Sequence, residues 1–147
     1  MGLTIKYFDG KYRYLSNYYE ASVEYNGLTY KNNEAAFQAQ KVLDDETREQ
    51  FTELPPNLAK KLGRKVKLRE DWDEVKIGIM KDICRAKFES HPALMDRLLT
   101  TGDRKLVEGN DWNDTFWGVD DEAGGQNNLG KILMELREEF KNERMKK

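Results

Sequence analysis

One stretch limits the possible folds more than any other. From Asp71 to His91 the apolar residues recur with helical spacing. Val75, Ile79, Ile83 and Ala86 form one stripe, and Met80, Cys84 and Phe88 widen it. A helix apolar over so broad an arc is expected at the centre of a fold, with the rest of the chain packed round it. Asp71-Trp72-Asp73-Glu74 has the form of a capping box opening this helix, with Trp72 packing its start, and His91-Pro92 breaks it. The core has few other contributors, because 38% of the residues are hydrophobic and 35% are charged. Even so, 147 residues suffice to bury a core without disulfides or metals.

Around that helix the punctuation predicts a single domain, 1–147, of α+β class and mostly α-helical. Residues 1–32 read as β-rich. Ile5, Tyr7, Tyr12, Tyr14 and Leu15 lie in short aromatic runs broken at Asp9-Gly10. Val23 to Tyr30 then carries Asn26-Gly27 between β-forming triplets, a strong hairpin signal because both central positions must accept positive φ. Residues 33–147 read as mainly helical. Glu34 to Leu43 puts Ala35, Ala36, Ala39, Val42 and Leu43 on one face. Pro55-Pro56 ends whatever precedes it, and Leu58, Ala59 and Leu62 make a short helix that Gly63 can close. Leu94, Met95, Leu98 and Leu99 give another helix, and Lys105 to Glu108 a short strand. Leu129, Ile132, Leu133, Leu136 and Phe140 give a last amphipathic helix whose Lys-rich end is expected to fray.

Composition removes several classes of function. One histidine, His91, and one cysteine, Cys84, exclude a Cys/His zinc site, a disulfide framework and a multi-histidine metal centre. The net charge of −2, with signs well mixed, disfavours a purely electrostatic nucleic-acid binder. No apolar run is long enough to cross a membrane, and the first residues lack a signal-peptide pattern. The expected setting is the cytoplasm or another reducing compartment.

Residues 109–128 stand apart. Gly, Asn and Asp dominate them, yet they hold Trp112 and Trp117. A loop this long in a small domain is functional or disordered, and large rings argue against disorder. The two indoles either plug the core or serve a functional surface. On the helix from Glu34, at roughly 100° per residue, Glu34, Gln38 and Lys41 share a stripe opposite the alanines. That stripe is either a solvated polar face or a site. Its start at a helix N-terminus favours an anion there.

Leu15-Ser16-Asn17-Tyr18, followed by Glu34 and Phe37-Gln38-Ala39-Gln40-Lys41, resembles the opening blocks of the YbiA-like family, also called NADAR for its association with NAD and ADP-ribose. Ala59-Lys60-Lys61-Leu62-Gly63-Arg64 looks like its Gly-Arg segment. Trp72 to Phe88 looks like its long helix. Lys105-Leu106-Val107-Glu108, Asn113-Asp114 with Phe116-Trp117-Gly118, and Asn128-Leu129-Gly130 look like its closing blocks. The blocks keep order and spacing over nearly the whole chain. One departure stands out: family members commonly carry His and an aromatic residue where this chain has Ala35 and Ala36.

The resemblance implies a compact, mostly helical fold with a small β part, and an N-glycosidase. The implied substrates are ADP-ribose linked to a nucleobase, notably guanine, including modified nucleic acid, or a phosphoribosyl intermediate of riboflavin synthesis. No metal or cofactor is implied. Cleaving a ribose–nitrogen bond needs a carboxylate or nucleophile at the anomeric carbon and a proton for the departing base. Glu34, Lys41 and Asp114 are the catalytic candidates: Glu34 for the ribosyl cation, Lys41 as a Schiff-base nucleophile or phosphate contact, Asp114 as an acid, a ribose contact or a turn-former. Arg64 suits a phosphate clamp. Asn17, Gln38, Glu108, Asn113, Gly118 and Asn128 are candidate substrate contacts, and Trp112 and Trp117 candidate stacking platforms. His91 is read as a helix end. The alternative is a domain that binds ADP-ribose or a nucleotide without chemistry.

Overall fold

The structure, a computed structural model, describes residues 2–146. The chain divides into two compact units, Asn17–His91 and Met1–Ser16 with Pro92–Lys147. The fold is α+β and mostly helical, with a hairpin as its main β element.

In the unit Asn17–His91, β1 (Glu20–Tyr25) and β2 (Leu28–Asn32) pair antiparallel with Tyr25 opposite Leu28. Asn26 (φ 51°) and Gly27 (φ 87°) both take the left-handed conformation that a two-residue turn demands. Asn32 ends the hairpin and caps the next helix, its Oδ1 accepting from Ala35 N at 2.8 Å.

That helix, α1 (Asn33–Ala39), is shorter than the predicted Glu34–Leu43. Beyond Ala39 the backbone tightens: Gln40 N donates to Phe37 O (3.0 Å) and Lys41 N to Gln38 O (3.2 Å). The carbonyls that would continue the helix find other donors. Arg69 N reaches Lys41 O at 2.8 Å and the Arg69 guanidinium reaches Gln40 O at 3.4 Å. Lys41 therefore sits in a turn, and Leu43, expected on the apolar face, is exposed. Ala35, Ala36 and Ala39 are fully buried, and Phe37 packs on the Trp72 ring, 5.0 Å between centroids.

A further short helix, α2 (Asp45–Glu49), was not expected; Asp44 caps it by accepting from Thr47 N at 2.9 Å. α3 runs Pro56–Gly63 with proline in its first turn. The long helix is α4 (Trp72–Ser90), ended by His91. The expected capping box does not form. Asp71 instead faces Arg69, with Nε–Oδ1 at 2.6 Å and Nη2–Oδ2 at 3.2 Å, and its side chain caps nothing. A bidentate guanidinium is the stronger partner for a carboxylate. The buried face of α4 carries Trp72, Met80, Ile83, Cys84, Lys87 and Phe88; Val75, Ile79 and Ala86 are only half-buried. His91 Nε2 lies 2.7 Å from Ser22 O, and because a carbonyl only accepts, that nitrogen carries the proton.

In the other unit, residues 10–15 form a 3-10 helix, Gly10–Leu15, rather than the expected strand. Tyr12, Tyr14 and Leu15 suit a strand by residue type but have no strand to pair with. Tyr14 and Leu15 are buried instead, with Arg97 stacked over the Tyr14 ring at 4.2 Å. The expected strand at Lys105–Glu108 reduces to one bridge between Ile5 and Leu106. α5 (Pro92–Thr100) and α6 (Asn128–Met145) bury Leu94, Leu98, Leu129, Ile132, Leu133, Leu136 and Phe140. α6 stays helical to Met145, so no fraying is seen up to there; Lys147 lies outside the described residues. Among the described residues no helix is long and apolar enough to cross a membrane.

Candidate functional site

The candidates of the unit Asn17–His91 gather where α1 meets α3. Gln38 lies one turn after Glu34 on α1, and its Nε2 donates to Glu34 Oε2 at 2.6 Å. Lys41, in the turn after α1, sends Nζ to Gly63 O at the end of α3, 3.2 Å. Arg64, exposed, follows as the residue that caps α3. Glu34, Lys41 and Arg64 are within electrostatic range of one another. Burial pushes the Lys41 amine below the usual lysine value, Glu34 opposes this by favouring the charged form, and Arg64, Lys60 and Lys76 reinforce it.

Gly63 does not close α3 by a left-handed turn. It is the last residue of the helix, and the cap, Arg64, is right-handed. Its missing side chain serves a contact instead: a Cβ there would overlap Gln38 Oε1. Nor does the start of α1 offer an open anion site, since Asn32 already occupies the Ala35 N–H. Asn17 is turned inward. Its Oδ1 accepts from Asn33 Nδ2 at 3.1 Å, its Nδ2 meets Met80 Sδ at 3.4 Å, and its backbone carbonyl accepts from Glu34 N at 3.1 Å. It thus anchors the residue that bears the carboxylate. Cys84, beside this cluster, is no nucleophile, because burial pushes its thiol up to about 12. An open groove of about 490 Å³ lies nearby between Val42, Leu43, Thr47, Val66 and Arg69, and none of the candidate side chains lines it.

The candidates of the other unit lie on residues 108–128, which are ordered by polar side chains bonding to backbone. β3 (Gly109–Asn110) and β4 (Val119–Asp120) pair parallel over two residues each. Asn110 Oδ1 accepts from Asp114 N (3.0 Å) and Trp112 N (3.3 Å), while its Nδ2 donates to Asp114 O (2.9 Å). Asp114 Oδ1 accepts from Trp117 N (2.9 Å) and Phe116 N (3.2 Å). Asp114 therefore forms a turn, with both bonds on one oxygen. Asp120 accepts from the backbone of Asn113, Glu122 and Ala123, and these three bonds hold its carboxyl below the usual carboxylate value.

Asn113 stands at φ 63° and Asn128 Nδ2 donates to Phe116 O at 3.0 Å, so both shape the loop. Gly118 is buried where a Cβ would meet Glu108 O. Glu108 is half-buried, with its N–H bonded to Asn127 Oδ1 at 2.9 Å. Trp117 is half-buried, its ring edge-on to Phe116 at 4.8 Å. Trp112 is 61% exposed and plugs no core.

The sequence reading missed Asn110, Asp120 and Asn127, the residues that order this loop. It also missed Lys87, 2% exposed on α4 with Nζ 5.5 Å from the Tyr19 ring centre. Lys87 sits between Cys84 and Phe88 on the apolar stripe, a position that signals a buried lysine. Among the described residues no cluster of three or more His, Cys, Asp or Glu is arranged to hold a metal ion.

The model of the NADAR domain matches residues 6–141. N-glycosidase YbiA of Escherichia coli (strain K12) is 41% identical over 128 residues, covering 85% of this chain and 79% of that protein. Riboflavin biosynthesis protein VVA0006 of Vibrio vulnificus (strain YJ016) is 34% identical over 135 residues, covering 90% of this chain and 36% of that protein. The NMR structure of the E. coli protein YbiA superimposes with a TM-score of 0.89 at 38% identity, covering 100% of this chain and 90% of that one. The Glu34, Gln38 and Lys41 cluster and the ordered Trp-bearing loop thus lie in a chain that belongs to the NADAR domain family.

Proposed function

We propose that this chain is an N-glycosidase that hydrolyses a ribose–nitrogen bond. Its substrate is ADP-ribose on a nucleobase, with guanine the first choice, or a phosphoribosyl intermediate of riboflavin synthesis. The observation that carries the reading is the part-buried Glu34, bonded to Gln38, within electrostatic range of a Lys41 amine that burial depresses. A family whose relatives are named N-glycosidases and riboflavin biosynthesis proteins supports it.

In the cleavage step the C1′–N bond breaks, its electron pair goes to the base nitrogen, and the base takes up a proton. Positive charge grows on the ribose, and the Glu34 carboxylate stabilises it. Water then captures C1′. Alternatively the neutral Lys41 amine captures it, the ring opens to a protonated imine, and water releases the sugar and restores the lysine. Burial makes the neutral amine available at lower pH than for an ordinary lysine, which favours this second route. Arg64 supplies a cation for a substrate phosphate.

The non-catalytic reading drew its support from Ala35 and Ala36. Both side chains are fully buried, while Glu34 is part-exposed, so these alanines take nothing from the surface that bears the carboxylate.

Incubation with ADP-ribosylated guanosine and, separately, with the riboflavin-pathway intermediate tests the proposal through released base. We expect Glu34→Gln to lower release on the order of 10³-fold. Binding without release by the unaltered chain sinks the enzyme reading. Borohydride is expected to trap a covalent adduct that Lys41→Ala cannot form, and the acidic limb of trapping should lie below that of a free lysine amine. Trapping unchanged in Lys41→Ala excludes the imine route.

A further inference from the structure

We propose that Gln38 is a positioning residue that aims the Glu34 carboxylate, and that Gly63 is glycine so that the Gln38 amide can be seated. This rests on the reading of Glu34 as the group that acts on the sugar. Gln38 is 6% exposed, which is little for a substrate contact. Its Nε2 donates to Glu34 Oε2 at 2.6 Å. Its Oε1 is buried and accepts no hydrogen bond among the described residues. That oxygen lies against Gly63, where an added Cβ would overlap both Oε1 and Cδ.

A buried amide oxygen without a partner is costly, so something must hold it there. Rotating the amide by half a turn would bring Oε1 against the carboxylate, two acceptors face to face. The carboxylate therefore fixes the amide, and the amide fixes one carboxylate oxygen. Gly63 has no left-handed φ to explain it, and alanine is the better helix former at such a position. The close contact is what excludes a side chain. The same residue's carbonyl accepts from Lys41 Nζ at 3.2 Å. One peptide of α3 thus sets the position of the Gln38 amide and receives the Lys41 ammonium group.

The test compares Gln38→Met, which keeps length but has no N–H, with Gly63→Ala. With ADP-ribosylated guanosine, both are expected to lose about tenfold or more in kcat while KM stays within about twofold. In Gln38→Ala, where the space is open, adding Gly63→Ala is expected to cost little more, so the two losses do not add. A raised KM with kcat intact would make Gln38 a substrate contact and overturn the proposal. Full kcat in Gly63→Ala would overturn it too.

A second readout needs no turnover. In the 1H–15N spectrum the Gln38 side-chain amide, assigned by its loss in Gln38→Met, should show one downfield, slowly exchanging proton. Glu34→Ala and Gly63→Ala should both abolish that feature. If it is present and responds so, while no ribosyl probe releases base, the glycosidase reading fails and the positioning stands. If it is absent, or survives Glu34→Ala, the positioning fails whatever the activity.

Discussion

Two regions carry the candidate residues, and they are held in opposite ways. Where α1 meets α3, helical hydrogen bonds satisfy most of the backbone, so Glu34, Gln38 and Lys41 are left to bond to one another and to a single carbonyl. Between residues 109 and 128 there is almost no regular structure, so the side chains supply the missing backbone partners. Asn110, Asp114, Asp120, Asn127 and Asn128 all bond to main chain there. A carboxylate on a helix face is available for chemistry, whereas one in an irregular loop is first engaged by the loop. Residue type alone does not separate the two cases. Glu34 and Asp114 were equal candidates in the sequence, yet only Asp114 accepts backbone N–H groups from the next turn.

The sharpest test of this contrast is Asp114→Asn. Asparagine keeps an oxygen for the Phe116 and Trp117 N–H groups, so the loop should persist with an unchanged unfolding midpoint. If Asp114 also serves as an acid, base release falls about 100-fold. A loss under about threefold would leave it a turn-former only.

Asn110→Ala comes next. It removes acceptor and donor together from a side chain that is 1% exposed. We expect a loss of about 2 kcal/mol in stability, measured by urea unfolding, with the indole fluorescence of the loop changing first. An effect below about 0.5 kcal/mol would show that the loop does not depend on its side-chain bonds.

Trp112→Ala should have the smallest effect. With the ring exposed, stability is expected to stay within about 0.5 kcal/mol. If the indole stacks on a base, KM should rise about tenfold, in line with roughly 1–3 kcal/mol per stacked base. An unmoved KM removes Trp112 from substrate binding.

Much of the fold was legible because its signals are local. The Asn26-Gly27 turn, the stripe of α4, the break at His91-Pro92 and the apolar face of α6 each depend on neighbours within a few residues. The errors arose where a distant partner prevailed. Arg69 draws Asp71 away from capping α4, and it takes the carbonyls that would have extended α1 to Leu43. The aromatic run at Tyr12–Leu15 had strand-forming residues but no strand to join, and it coiled instead.

At the candidate site the chain by itself determined the cast. It set a carboxylate, an amide and an amine at helical spacing, followed by a Gly-Arg pair, in ordered blocks that resemble a family of N-glycosidases. Only the tertiary structure decided what each does locally. Gln38 faces Glu34 rather than open solvent, Lys41 leaves the helix to reach Gly63 O, and Gly63 serves a contact rather than a turn. The physical reason is that periodicity records which residues share a face. Close approach, burial and the competition for hydrogen-bond partners depend on a second segment, and in this chain α3 lies some twenty residues beyond α1.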